Sequence, residues 1–119
     1  MTTQPFNDEF RKRTKQNALN VIRLYSELNH RDELKILGKQ AIRSATSVAA
    51  NFRASCRGRS PAEHYAKICI VVEECDETLF WLELIADTKL VDQTILNPLI
   101  AETLKILQVF SKTRKSLKP

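Results

Sequence analysis

Ser60 to Asp87 reads SPAEHYAKICIVVEECDETLFWLELIAD. Its opening is a helix start. Ser60 stands at the N-cap, Pro61 takes the first helical position, and Glu63 is placed to reach back as the second half of a capping box. Neither Gly nor Pro recurs before Asp87, so the helix can extend to about 40 Å at 1.5 Å per residue. Its apolar residues fall on a heptad: Tyr65, Val72, Leu79 and Ala86 are seven apart, and Ile68, Cys69, Cys75 and Leu82 fill the seam between them. One amphipathic helix cannot bury that seam alone, so other segments must supply partners.

Those partners lie on either side. Before it, Ala18, Val21, Ile22, Tyr25 and Leu28 recur at helical spacing and predict a first helix starting near Asn7 or Asp8. It ends in the polar break Asn29-His30-Arg31, after which Asp32 is placed to cap a second helix with Leu34, Leu37, Ala41, Ala45, Val48 and Phe52 inward. The middle of that helix is small-sided (Gly38, Ala41, Ser44, Ala45, Ser47, Ala49, Ala50), which predicts the tightest helix contact of the core. After the long helix, Asp92 or Asn97 can start a fourth. Asn97 is favoured because it puts Pro98 at the first helical position rather than inside. Leu99, Thr103, Ile106, Leu107 and Phe110 then face inward.

Two glycines and four prolines in 119 residues, with no alternating β-branched run, argue for an all-α chain. The expectation is one domain over 1–119, an antiparallel up-down-up-down four-helix bundle with helices at about 8–28, 32–54, 61–87 and 98–115. No apolar signal segment opens the chain, and no run approaches the roughly 20 apolar residues of a membrane span. Three cysteines without metal-ligand pairing point to reduced thiols, and hence to a cytoplasmic location.

Up-down-up-down topology has an electrostatic consequence. The start of helix one, the loop after helix two and the end of helix four share a pole. There Arg11, Lys12, Arg13, Lys15, Arg53, Arg57, Arg59, Lys112, Arg114, Lys115 and Lys118 face only Asp8, Glu9 and Glu63, although the whole chain carries just +5. Such a patch is the usual footprint of polyanion binding through phosphates. Cations in the last turn of a helix also complement its dipole, which accounts for part of 112–118 with no ligand. Arg53, Arg57 and Arg59 are the more specific set, with a phosphate or a carboxylate as partner.

Two blocks carry a family resemblance: RSATSVAANFRASCRGRS over Arg43–Ser60 and EECDETLFWLEL over Glu73–Leu84. With their spacing, they resemble the bacterial four-helix bundle proteins that include those encoded in intervening sequences of large-subunit ribosomal RNA genes. The chain is also similar to accessory proteins of diversity-generating retroelements. The likeness runs from about Asn17 to Leu107. It implies a homopentameric ring and an association with RNA. Where much of the family reads Ala-Glu-Gly, this chain has Arg53-Ala54-Ser55.

The sites follow. Arg53, Arg57, Arg59, Arg11, Lys12, Arg13, Lys112, Arg114 and Lys115 are the candidate nucleic-acid contacts. Phe80, Trp81 and Leu84, opposite the seam, are the candidate oligomer interface, against the alternative that helical drift carries them into the monomer core. Arg43, Ser47, Asn51, Glu74 and Glu77 are read as a structural polar network. The acids of the long helix lack the paired Glu-x-x-His motifs of a di-metal bundle, so no metal or cofactor is expected. Cys56 lies amid arginines whose charge favours a thiolate, but the only nearby histidine is His64, in the first turn of the next helix, and no nucleophilic site is expected. The function expected is a non-enzymatic homo-oligomeric accessory or scaffold protein contacting RNA or another nucleic acid, or a nucleic-acid-associated protein partner, through its basic end. The alternative is a protein–protein module whose arginine loop serves subunit or partner contacts.

Overall fold

The computed structural model describes residues 1–28 and 30–117. Four α-helices follow in order: α1 Gln4–Leu28, α2 Asp32–Cys56, α3 Pro61–Asp87 and α4 Gln93–Ser116, with no strand among the described residues. Each packs on the next, α4 returns to α1, and the diagonal pairs stay apart. That is a four-helix bundle, 45 × 20 × 20 Å. The most extensive contact is α2 on α3, where the small side chains of α2 allow close approach.

Helix ends follow local chemistry, with corrections to the sequence reading. Thr3 begins α1: its Oγ1 accepts from the Phe6 N–H at 3.4 Å and its carbonyl from Asn7 at 2.9 Å. Pro5 therefore sits inside the first turn, where no N–H is needed, and the helix starts four residues before position 8. Asp32 is the first residue of α2 rather than its cap; Arg31 holds the cap position without a side-chain bond. Asp32 and Glu33 instead place negative charge against the helix dipole. At α3, Ser60 accepts from the Glu63 N–H at 3.1 Å, as the sequence indicates. Glu63 reaches one residue further back than a capping box requires, accepting from the Arg59 N–H at 2.9 Å. α3 closes through Lys89 at φ 60°, a left-handed residue just past the helix end.

The start of α4 differs most. Asp92 caps it, accepting from the Thr94 N–H and hydroxyl at 2.9 Å each, and Pro98 lies inside. Starting at Asn97 would leave Leu96 outside the helix, yet Leu96 is fully buried in the core with Leu28, Leu34 and Ile85. Burial of Leu96 and the Asp92 cap outweigh the single hydrogen bond that Pro98 removes.

The core has two apolar halves. Near the α1 start, Phe10, Phe52, Ile68, Val71, Ile106 and Phe110 pack together. Toward the other end, Val21, Leu24, Leu34, Ala41, Leu82, Ile85 and Leu96 do so. A band of buried polar side chains lies between them. Asn17 donates to Thr103 Oγ1 at 3.0 Å and Thr78 to Ser44 Oγ at 2.7 Å, joining α1 to α4 and α3 to α2. Pairs of this kind fix the register of helices that apolar packing alone leaves free to slide, although the buried Asn17 Oδ1 has no partner among the described residues. Of the expected α3 seam, Ile68, Val72, Cys75, Leu79 and Leu82 are buried, while Tyr65, Cys69 and Ala86 are half-buried; His64, Val71, Thr78 and Ile85 are buried beside them. Ile22, expected inside, is 44% exposed, and Leu24 takes its place.

Candidate nucleic-acid interface

Three separated segments meet at one pole because their phenylalanines do. The Phe6 ring centroid lies 6.0 Å from that of Phe52 and 5.9 Å from that of Phe110, and Phe52 and Phe110 are 4.9 Å apart. This cluster sets the start of α1 against the ends of α2 and α4. The start of α3 is tied in by His64, whose Nδ1 lies 2.9 Å from the Ser55 carbonyl. That geometry makes Nδ1 the donor, and the buried Nε2 has no partner among the described residues. His64 was not among the candidate residues. Extending the α3 seam back from Ile68 and Val71 by one turn reaches it.

The cations at this pole divide into those already matched and those not. Arg13 is matched most fully. Its Nε and Nη2 donate to the two carboxylate oxygens of Glu102 on α4 at 3.0 Å each, and Nη1 to Glu9 at 3.1 Å. The guanidinium also lies 4.7 Å from the Phe10 ring centroid. The Glu102 hydrogen bonds, ahead of the opposing effect of burial, hold its pKa above the ordinary arginine value. Arg13 is thus a clamp between α1 and α4. Arg11 pairs with Asp8, and Arg59 reaches Glu63 at 3.7 Å from a 91%-exposed side chain. Among the described residues, Lys12, Lys15, Arg53, Arg57, Lys112, Arg114 and Lys115 have no carboxylate partner. Lys118 lies outside the described residues.

Arg11, Lys12, Lys15, Arg53 and Arg57 line one groove of about 780 Å³ between α1 and α2, with Asp8 its one acid. Ala18, Leu19, Ile22, Ala49 and Ala50 give it an apolar floor. Lys112, Arg114 and Lys115 do not reach this groove. They stand on the last turns of α4, where Arg114 is near enough to Tyr65 for its charge to act on the phenol. The pole therefore carries two groups of cations, one on the α1–α2 side and one toward α3 and α4.

The remaining candidates are placed as follows. Arg43 donates to Glu74 at 3.3 Å and to Glu77, and the Trp81 indole donates to Glu77 at 3.2 Å. The Arg43 hydrogen bond is the main reason the Glu77 carboxyl lies below its ordinary range. Asn51 and Ser47 form a separate pair, with Asn51 donating to the Ser47 carbonyl at 2.9 Å and to its hydroxyl at 3.0 Å. The single polar network of the sequence reading is thus two groups. Of the three aromatic and aliphatic interface candidates, Phe80 is 52% exposed, while Trp81 and Leu84 are half-buried and Trp81 packs against the core.

Burial pushes the Cys56 thiol up despite Arg11 and Arg57 nearby, opposite to the activation its neighbours implied. Among the described residues no three of His, Cys, Asp or Glu are grouped to hold a metal ion, and no helix is long and apolar enough to cross a membrane. What this end of the molecule offers chemically is positive charge over a shallow apolar floor.

Residues 7–112 match the family model described as 23S rRNA-intervening sequence protein. The chain is also similar to a crystal structure of a protein of unknown function from the S23 ribosomal protein family of Bacteroides thetaiotaomicron VPI-5482. The two are 26% identical, the match covers 88% of this chain and 97% of that one, and the TM-score is 0.81. No curated protein matches.

Proposed function

The chain belongs to the 23S rRNA-intervening sequence protein family, and from that premise we propose that it is a non-enzymatic accessory or scaffold protein that assembles with copies of itself and contacts RNA through its basic pole. One observation carries the reading. The phenylalanine cluster gathers three chain segments, and Lys12, Arg53, Arg57, Lys112, Arg114 and Lys115 emerge there with no carboxylate among the described residues to neutralise them. Arg13, held by Glu102, drops out of the contact set; Arg11 and Arg59 sit in exposed pairs that a phosphate can outcompete. Family resemblance supports a pentameric ring, and exposed Phe80 supports self-association. Three free thiols support a reducing, cytoplasmic setting.

Binding of this kind is phosphate-led and nearly blind to sequence, since no exposed aromatic stands at the pole among the described residues to stack a base. Fluorescence anisotropy with a mixed RNA pool tests it. Micromolar binding should fall steeply with salt, with a log–log slope of about 0.7 per phosphate contact for single strands. Arg53→Ala with Arg57→Ala should reduce that slope. Absence of salt-sensitive binding at micromolar protein would replace RNA with an acidic protein partner for the same arginines.

A further inference from the structure

Two surfaces of this bundle complement one another. The first is the part of the α1–α2 groove beyond the pole, where Lys15 stands beside Leu19 and Ile22, which are 38% and 44% exposed. The second is the outer stripe of α3. Glu73, Asp76, Phe80 and Glu83 are all exposed and follow at spacings of three and four, so they share one helix face. Phe80 is the one exposed aromatic among the described residues, and none of these three acids is ion-paired. One surface is apolar with a cation at its edge. The other is apolar with anions on both sides.

Their heights also agree. α1 and α3 start at the same pole, and at 1.5 Å per residue Ile22 lies roughly 27 Å along α1 and Phe80 roughly 28 Å along α3. Two copies standing side by side with parallel axes therefore bring Phe80 of one level with the Leu19–Ile22 rim of the other. The same placement brings Glu73 to the level of Lys15, with Asp76 about one turn beyond, level with Leu19.

We infer that a second copy of this chain seats its α3 stripe, centred on Phe80, on the Lys15–Leu19–Ile22 rim of the first. A contact between two different surfaces leaves each copy with one of each still open, so it propagates to further copies instead of closing as a dimer, and forms a ring where the rotation between copies closes. The inference rests on the self-assembly proposed above and adds which surfaces meet. It leaves Arg57, Lys112, Arg114 and Lys115 at the pole, outside the contact, and repeats them around one rim of the assembly.

Disulfide trapping in the full chain tests the contact, with half-buried Cys56 and Cys69 changed to Ser and buried Cys75 kept. Ile22→Cys and Phe80→Cys are made singly and together. On mild oxidation the double variant should give a ladder of covalent multimers, a mixture of the two single variants should give covalent dimers, and neither single variant alone should cross-link. Phe80→Cys cross-linking to itself would overturn the inference, as would a double variant that sediments as an oligomer without a ladder. Should the cysteine variants not assemble, the charge pair decides. Lys15→Glu should weaken assembly at least tenfold and added Glu73→Lys should restore it; an unaffected Lys15→Glu overturns the contact. Sedimentation of the unaltered chain separates the two levels, since a monomer removes self-assembly itself and an oligomer failing these tests removes only this interface.

Discussion

Ser44 of α2 and Thr78 of α3 share a hydrogen bond of 2.7 Å, and both are shielded from solvent, at 0% and 1% exposure. Each hydroxyl also lies near a carbonyl of its own helix, Ala41 at 3.2 Å and Glu74 at 2.8 Å. The two helices thus meet through a polar pair whose protons have more than one acceptor. Apolar packing decides that α2 and α3 associate; this pair decides at which height.

Thr78→Val keeps the shape and leaves Ser44 its own-helix carbonyl, so it should cost about 1 kcal/mol, the net worth of one hydrogen bond. Ser44→Leu forces a large side chain into the most extensive helix contact and should cost more, about 1–3 kcal/mol from overpacking alone. Urea unfolding of the two variants checks the order. A Ser44→Leu protein as stable as Thr78→Val would mean that α2 and α3 are not closely packed at this level.

Pro98 provides a second test. It removes one hydrogen bond inside α4, and its ring crowds the carbonyl of Thr94. An interior proline costs up to about 3 kcal/mol, partly offset by its stiffening of the unfolded chain. Pro98→Ala should therefore stabilise the protein by about 1–2 kcal/mol, and Asp92→Ala should destabilise it by about 1 kcal/mol through the lost cap. Were the helix to begin at Pro98 instead, Pro98→Ala would destabilise and Asp92→Ala would do nothing.

That pair also shows where the sequence was legible. Heptad spacing, the Ser60-Pro61 start and the small residues of α2 were enough for the bundle, since each is a local rule that tertiary packing here reinforces. The start of α4 was not, because two local rules competed at Asp92 and Asn97, and burial of Leu96 against α1, α2 and α3 settled it. The basic pole was legible as topology, since alternating helix directions bring its segments together. Which of its cations were spent was not. Arg13 and Glu102 are 89 residues apart and look unrelated in sequence. Likewise Asn17 and Thr103 become partners only when α4 returns to α1.

Thiol chemistry should separate the cysteines. Burial, with a smaller effect from Asp76, pushes Cys75 up to about 12. At pH 8 roughly one thiol in ten thousand is then ionised, and the thiolate is the reactive form. Cys75 should be modified by a thiol reagent in urea at least a hundredfold faster than in native buffer. Comparable native and unfolded rates would place Cys75 at the surface.

Acid should loosen the α2–α3 surface through Glu77. Its carboxyl is held below the ordinary Glu range chiefly by the Arg43 hydrogen bond, with help from Trp81. A folded-state pKa below the unfolded one means that the pair stabilises the protein above the ordinary Glu range. The stabilisation disappears as pH falls through the folded value. Because the side chains are 50% and 35% exposed, the contribution should stay under about 1 kcal/mol. NMR titration should place the Glu77 midpoint below that of an unpaired Glu and move it up in Arg43→Gln. The same substitution should shrink the stability difference between neutral and acid pH while changing stability little at acid pH. A Glu77 midpoint indifferent to Arg43 would show that the ion pair seen between α2 and α3 does not persist in solution.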